Sequence, residues 1–234
     1  TWSQLGPDID GEAAGDNSGY SVTLSGNGTT LAIGSPGSDG DKGHVRVYTF
    51  TGGTWSQLGS DIDGEAAGDE SGKSVSLSSD GTTLAIGAPF NDGNGSNAGH
   101  ARVYEWTGFS WDQIGNDING NSSTNLFGFS VSLNADADIL AVGAPNVNQS
   151  LNLGEITTYS LDNSIWSLNV VEIQGDLSDN LGSSIEIDAM GKSLISNVES
   201  GGAVFHLIDD CSGCMDSLAL NYNPTALIDD GSCL

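Results

Sequence analysis

The strongest constraint on this chain is internal repetition. Residues 1–16 (TWSQLGPDIDGEAAGD) return as residues 54–69 with one change, Pro7 to Ser60. A weaker copy begins at Ser110, and a faint one covers residues 165–175. Trp2, Trp55, Trp111 and Trp166 mark one position in all four copies, at intervals of 53, 56 and 55 residues. Three further blocks follow each marker. The first reads Ser18-Gly-Tyr-Ser-Val-Thr-Leu, Ser71-Gly-Lys-Ser-Val-Ser-Leu, Phe127-Gly-Phe-Ser-Val-Ser-Leu and Leu181-Gly-Ser-Ser-Ile-Glu-Ile. The second reads Leu31-Ala-Ile-Gly-Ser-Pro, Leu84-Ala-Ile-Gly-Ala-Pro, Leu140-Ala-Val-Gly-Ala-Pro and the eroded Leu194-Ile-Ser-Asn. The third reads Gly43-His-Val-Arg-Val-Tyr, Gly99-His-Ala-Arg-Val-Tyr, Gly154-Glu-Ile-Thr-Thr-Tyr and Gly202-Ala-Val-Phe. A period near fifty residues means one supersecondary unit used four times, each copy burying its faces against its neighbours.

Within the blocks apolar and polar residues alternate, which sends every second side chain to one face of a strand. Gly26-Asn-Gly, Asp80-Gly and Gly52-Gly supply hairpin turns between them. Each unit therefore holds about four short antiparallel strands, the size of a propeller blade. The predicted fold is all-β: a β-propeller of four-stranded blades over residues 1–210, divided at about 1–53, 54–109, 110–164 and 165–210, with a cysteine-bearing tail at 211–234. The Trp strand of the first copy precedes every other strand, so residues 1–6 are expected to complete the last blade and close a ring of four. The same count also fits part of a larger ring.

Composition agrees with short strands and tight turns: 34 glycines accompany an apolar fraction of 37%. Five Lys+Arg against 31 Asp+Glu give a net charge of −26, which repels phosphate backbones and anionic headgroups. Nucleic acid is excluded as a partner, and no apolar run is long enough to insert in a bilayer. An acidic coat also serves solubility alone.

Phe127-Gly128 followed by Gly143-Ala-Pro145 resembles the FG-GAP repeat of integrin α-subunit propellers and many microbial surface proteins. Gly87-Ala-Pro89 agrees, and Gly34-Ser-Pro36 is a near match, while the fourth unit has lost the motif. The resemblance implies a propeller, an extracellular or cell-surface setting, and calcium held between the FG and GAP elements by an Asp-x-Asp-x-Asp-Gly-x-x-Asp loop. That interval here holds only Ser25-Gly-Asn-Gly-Thr, Ser78-Ser-Asp-Gly-Thr and Asn134-Ala-Asp-Ala-Asp. Calcium takes six to eight oxygens, so the family's site is not expected. The tail, with Gly213-Cys-Met-Asp, Ala219-Leu-Asn-Tyr-Asn-Pro-Thr-Ala and Asp229-Asp-Gly-Ser-Cys233, resembles a short module near the C-termini of secreted microbial proteins. On that resemblance Cys214 pairs with Cys233, closing a loop of about 20 residues worth about 3 kcal/mol. Cys211 is left over, and its partner stays open between a further residue, another chain and Cys233 in place of Cys214. A disulfide-stapled tail belongs to an oxidising compartment.

A cation could bind elsewhere. Asp8, Asp10, Glu12 and Asp16, and again Asp61, Asp63, Glu65 and Asp69, set carboxylates at i, i+2, i+4 and i+8 around a glycine, a pattern suited to calcium. A solvated acidic turn accounts for the same residues. Asn27, Asn94, Asn121 and Asn148 begin glycosylation sequons in predicted turns, relevant where the source is eukaryotic. His44 and His100 share one repeat position, and no nucleophile elbow or carboxylate dyad stands out. The repeat-locked tryptophans are expected to pack between blades rather than stack on sugars. The expectation is a non-enzymatic extracellular structural or adhesion protein, its repeats a scaffold or interaction surface in a cell-surface or filamentous assembly. Its partners would be other subunits, matrix or surface components, or glycans. The alternatives are a calcium- or carbohydrate-binding module and, more distantly, a secreted hydrolase.

Overall fold

The computed structural model describes residues 1–145, 153–176, 180–198, 202–207, 212–213 and 228–229. Each repeat forms one antiparallel sheet. Unit 1 contains β1 (Ser21–Leu24), β2 (Thr30–Ser35), β3 (His44–Thr51) and an outer strand broken into β4 (Thr54–Gln57) and β5 (Ile62–Asp63). Unit 2 repeats this as β6 (Ser74–Leu77), β7 (Thr83–Ala88), β8 (His100–Trp106), β9 (Trp111–Gln113) and β10 (Ile118–Asn119). Unit 3 is β11 (Ser130–Leu133), β12 (Ile139–Ala144), β13 (Glu155–Asp162) and β14 (Ile165–Gln174). Unit 4 has β15 (Ile185–Ile187), β16 (Ser193–Val198) and β17 (Gly202–Leu207). The alternating pattern of the sequence thus folds into strands in the expected order.

Side chains close the first hairpin of every unit. Asn27 Oδ1 accepts from the Thr29 amide (2.9 Å) and hydroxyl (2.7 Å), while Ser25 Oγ accepts from the Thr30 amide (2.9 Å). Asp80 and Ser78 repeat the arrangement in unit 2. Asn134 and Asp188 cap the corresponding turns of units 3 and 4. Burial opposes the charge of Asp80, but the hydrogen bonds from Ser78 and Thr82 outweigh it and hold its carboxyl below the usual value. These short turns stand where the family's calcium loop would be, and their side-chain oxygens accept from the chain itself.

The sheets stack through their first strands. The hairpin tips form a ladder: Gly26 N–H donates to Ser79 O (2.8 Å), Ser79 N–H to Ala135 O (2.9 Å), and Ala135 N–H to Ala189 O (3.1 Å). At each junction the glycine of the FG position (Gly72, Gly128, Gly182) sits at φ +86, +88 and +86°, where a side chain is strained. Its carbonyl accepts the hydroxyl of Ser21, Ser74 or Ser130 in the preceding unit, at 2.7, 2.9 and 2.6 Å. That same carbonyl lies against the GAP glycine, so a Cβ on Gly34, Gly87 or Gly143 would overlap it. Around these contacts apolar clusters span the seams, such as Ala32, Val45 and Val47 of unit 1 with Leu77, Leu84 and Ile86 of unit 2. Units 2 and 3, and units 3 and 4, are joined in the same way.

Two expectations change. Residues 1–5 form no strand, Trp2 is exposed, and β17 is the last strand of a three-stranded sheet, so the closing pairing is not made among the described residues. Leu5 and Gly6 instead lie against unit 1 in the way that Leu58 and Gly59 lie against unit 2. Leu5 O accepts from Trp55 Nε1 (3.0 Å) and Leu58 O from Trp111 Nε1 (2.9 Å). The pairing Asn197↔Ala203 also matches Gly34↔Val45, so Gly202, not Ala203, occupies the histidine position of unit 4. In the tail, β18 (Ser212–Gly213) pairs in parallel with β19 (Ile228–Asp229). Cys211, Cys214 and Cys233 lie outside the described residues, as does Asn148.

The glycine contacts set a test. Gly87→Ala must push the Gly128 carbonyl away and should lower stability by roughly 3 kcal/mol, read by urea unfolding followed through tryptophan fluorescence. An unchanged midpoint would show that the junction is not close-packed.

Candidate functional site

The third strand of each unit alternates, so His44, Arg46 and Tyr48 fall on one course along β3 and His100, Arg102 and Tyr104 on the same course along β8. The outer strand runs antiparallel to it and brings Asp61 opposite Arg46, and Asp117 opposite Arg102. The guanidinium of Arg46 grips Asp61 with two hydrogen bonds, Nε to Oδ1 at 3.0 Å and Nη2 to Oδ2 at 2.9 Å. Arg102 grips Asp117 likewise, at 2.7 and 2.8 Å. Gln57 and Gln113 donate to the same aspartates (2.6 and 2.8 Å). The second carboxylate comes from the preceding segment: Glu12 is ion-paired to Arg46, and Glu65 to Arg102. Arg102 therefore ties its own sheet to the segment that follows β5 of unit 1, and Arg46 ties its sheet to the N-terminal segment.

This geometry separates the eight predicted metal residues. Glu12 and Asp61 meet beside His44; Glu65 meets Asp117 beside His100, and each trio brings its ligand atoms close enough to hold an ion. An arginine is already bonded to both carboxylates of each trio. Asp8 accepts from Gln4 (2.8 Å), and Asp16 closes its own turn on the Ala13 amide (2.8 Å). Asp69 is buried, accepting from the Ala66 amide (3.1 Å) and from Asn91 (2.8 Å). Asp10 and Asp63 join neither trio. Sequence reasoning missed Arg46 and Arg102, although a signal existed: they are the chain's two arginines and share one repeat position in an acidic protein.

Charge pairing is visible in the ionisation of the site. The hydrogen bonds from Arg102 lead in holding Asp117 down to about 2, and those from Arg46 lower Asp61. Burial, reinforced by the charge of Arg102, lowers His100 despite Asp117, Glu65 and Asp69 nearby. Its Nδ1 has no hydrogen-bond partner among the described residues, and Glu65 Oε2 lies 3.9 Å away. In unit 3 the set dissolves: Glu155 replaces the histidine and Thr157 the arginine, and the Thr157 hydroxyl donates to Glu155 (3.0 Å).

The other recessed surfaces lie between outer strands. A cleft of about 480 Å³ between units 2 and 3 is lined by Asn116, Asp117, Asn119, Tyr159 and Trp166. Its counterpart of about 260 Å³ between units 1 and 2 is lined by Asp61, Asp63, Tyr104 and Trp111. Trp55 and Trp111 hydrogen-bond to Leu5 and Leu58, whereas Trp2, expected to pack in the same way, is exposed. Of the sequons, Asn27 is exposed with its Oδ1 in the turn, Asn94 donates to Gly120 O (2.7 Å), and Asn121 is exposed.

A family model for the FG-GAP repeat matches residues 62–104, which run from β5 into β8 and include Gly72 and the Gly87-Ala-Pro89 element. No curated protein matches this chain. Among solved structures, one from Bacteroides uniformis ATCC 8492, described provisionally as a 6-phosphogluconolactonase, is similar with a TM-score of 0.55 at 12% identity, over 80% of this chain and 49% of its own. A second, described in the same terms, from Bacteroides fragilis NCTC 9343, is similar with a TM-score of 0.51 at 12% identity, over 74% of this chain and 42% of its own. The chain thus spans about half the length of these structures or less, and at this identity the likeness is one of fold alone. Among the described residues no helix is long and apolar enough to cross a membrane.

The clamp predicts a pH response. Asp117 falls from the ordinary 3.8 to about 2, so the pair's contribution is complete above pH 3.8 and is lost as pH falls toward 2. Arg102→Met should cost roughly 2 kcal/mol at neutral pH and flatten the stability curve across that interval. His100 is lowered from 6.5, so the unfolded chain takes up the proton first and stability declines below that pH. His100→Gln should remove this decline; acid titrations of thermal midpoints that match wild type would disprove both assignments.

Proposed function

We propose that the stacked sheets are propeller blades and that the protein is a non-enzymatic extracellular scaffold or adhesion element of a surface assembly. The observation that carries this reading is how the polar residues are used. Arginine–carboxylate clamps, serine-to-glycine bonds and Asx turns recur from unit to unit, and each joins strands or neighbouring sheets. The residues best suited to chemistry are thereby engaged in holding the array together. A net charge of −26 suits an exposed surface in contact with cations and other proteins. The FG-GAP match at residues 62–104 supports the same setting. The test is surface labelling of intact source cells with a membrane-impermeant reagent, together with adherence or assembly of a strain lacking the protein. Labelling and a loss of adherence are expected. A protein labelled only after lysis, or one that turns over a sugar-phosphate lactone or glycoside, would overturn the reading.

A second reading, a calcium- or carbohydrate-binding module, is favoured by the aromatic and polar cleft between units 2 and 3 and by the two carboxylate–histidine trios. Since an arginine already engages both carboxylates of each trio, the thermal midpoint should be the same in EDTA and in millimolar calcium. A rise with calcium, or glycan binding that Tyr159→Ala abolishes, would instead favour the module.

A further inference from the structure

Two internal junctions carry equivalent clefts between outer strands, and they differ in a concerted way. Between units 1 and 2, Glu65 pairs with Arg102, and Trp111 Nε1 donates to Leu58 O (2.9 Å). Trp106 packs on Trp111 with ring centres 5.6 Å apart. The cleft left there is about 260 Å³. Between units 2 and 3 the repeat positions of Glu65, Arg102, Trp106 and Trp111 hold Asn121, Thr157, Leu161 and Trp166. Two short neutral side chains stand in place of the ion pair. The Trp166 indole N–H, shielded from solvent, has no hydrogen-bond partner, a cost that the other junction avoids. This cleft is about 480 Å³. Small-ligand sites run from roughly 300 to 1,000 Å³, so of the two only the second reaches that size.

The lining of the larger cleft has two characters. Tyr159 and Trp166 of unit 3 supply aromatic surface, while Asn116, Asp117 and Asn119 come from the outer strand of unit 2. Asn116 and Asn119 are exposed. Arg102 and Gln113 grip Asp117, fixing its carboxylate and keeping it ionised. A second recess of about 460 Å³ is lined by Gln113, Asn116, Asp117 and Asn119, so the same polar residues border two adjoining hollows. Amides that donate and accept, beside a carboxylate that accepts, match the hydroxyls of a sugar. Aromatic rings offer apolar surface to the C–H faces of its ring. An anionic ligand is disfavoured by Asp117 and by a net charge of −26.

We propose that the cleft between units 2 and 3 binds a neutral oligosaccharide. One sugar ring lies against Tyr159 and Trp166, the next occupies the adjoining recess, and their hydroxyls bond Asn116, Asn119 and Asp117. The proposal rests on the second reading above, that of a carbohydrate-binding module, and assigns it to one junction. Loss of the cross-junction ion pair opened the site: the Glu65–Arg102 pair draws the outer segment of unit 1 onto unit 2, and Asn121 and Thr157 exert no such pull.

The test is titration calorimetry, with tryptophan fluorescence alongside, using cello-, malto-, xylo- and chito-trisaccharides. The matching monosaccharides and a trisaccharide of uronic acids serve as controls. At least one neutral trisaccharide should bind, more tightly than its monosaccharide, and the uronic acid chain should not. Asn119→Ala should weaken binding about tenfold, and Asn116→Trp, which fills the cleft, should abolish it; both positions are exposed, so neither change disturbs the core. Thr157→Arg with Asn121→Glu rebuilds the ion pair and should also weaken binding. Neutral trisaccharide binding that survives both Asn119→Ala and Asn116→Trp would leave the carbohydrate reading standing and overturn the cleft as its site. A protein that binds none of the neutral trisaccharides overturns both, and preference for the uronic acid chain overturns the ligand class. A folded Thr157→Arg, Asn121→Glu variant that binds as the wild type does overturns the loss of the ion pair as the cause.

Discussion

The whole array rests on backbone approaching backbone at paired glycines. At each junction the FG carbonyl of one unit lies against the Cα of the preceding GAP glycine and accepts a serine hydroxyl from the same strand pair. A contact this close is possible only where no Cβ intervenes, so the motif is a packing requirement and not a ligand signature. It sets the spacing at which Leu77, Leu133 and Ile187 reach the alanines and valines of the neighbouring sheet, and so decides whether the apolar clusters close. Unit 4 departs from this pattern as a set: where Asn197 replaces the glycine, the hydroxyl and the alanine beside it change as well.

A second constraint comes from charge. A chain with 31 acidic and five basic residues repels itself, and its two arginines are placed where each pairs with two carboxylates from different segments. The bidentate grip on an aspartate of its own sheet fixes the guanidinium, which leaves its outer edge for the glutamate of the preceding segment. The Arg102 clamp is thus a link between units 1 and 2 on the outer part of their junction, complementing the glycine contact near the first strands. Of the acidic residues that suggested a cation site, Glu12, Asp61 and Glu65 do meet a positive charge, which is an arginine of a third strand.

Much of the fold was legible because its determinants are local. Alternation in Ser-Val-Ser-Leu and Val-Arg-Val-Tyr states which side chains share a face, and Asn27 and Asp80 close their hairpins within a few residues. The clamp was not legible, because Arg46 lies 15 residues before Asp61 and Glu12 lies 34 residues before Arg46. Nothing in either acidic segment names its partner until the strands are paired. Register in unit 4 was misjudged by one residue because a run of Gly-Gly-Ala-Val carries too little side-chain information to set it. The N-terminal strand was expected to close the ring because counting strands ignores where their edges lie in space.

Repetition, strand periodicity and turn residues were sufficient to specify one all-β unit, its four copies and the glycines that let them approach. These are properties of short segments, and each segment carries its own chemistry. Which unit supplies a carbonyl and which a bare Cα, and which arginine meets which glutamate, were decided by the stacking. Those facts depend on residues fifty positions apart meeting at a fixed distance, and only the assembled junction sets that distance.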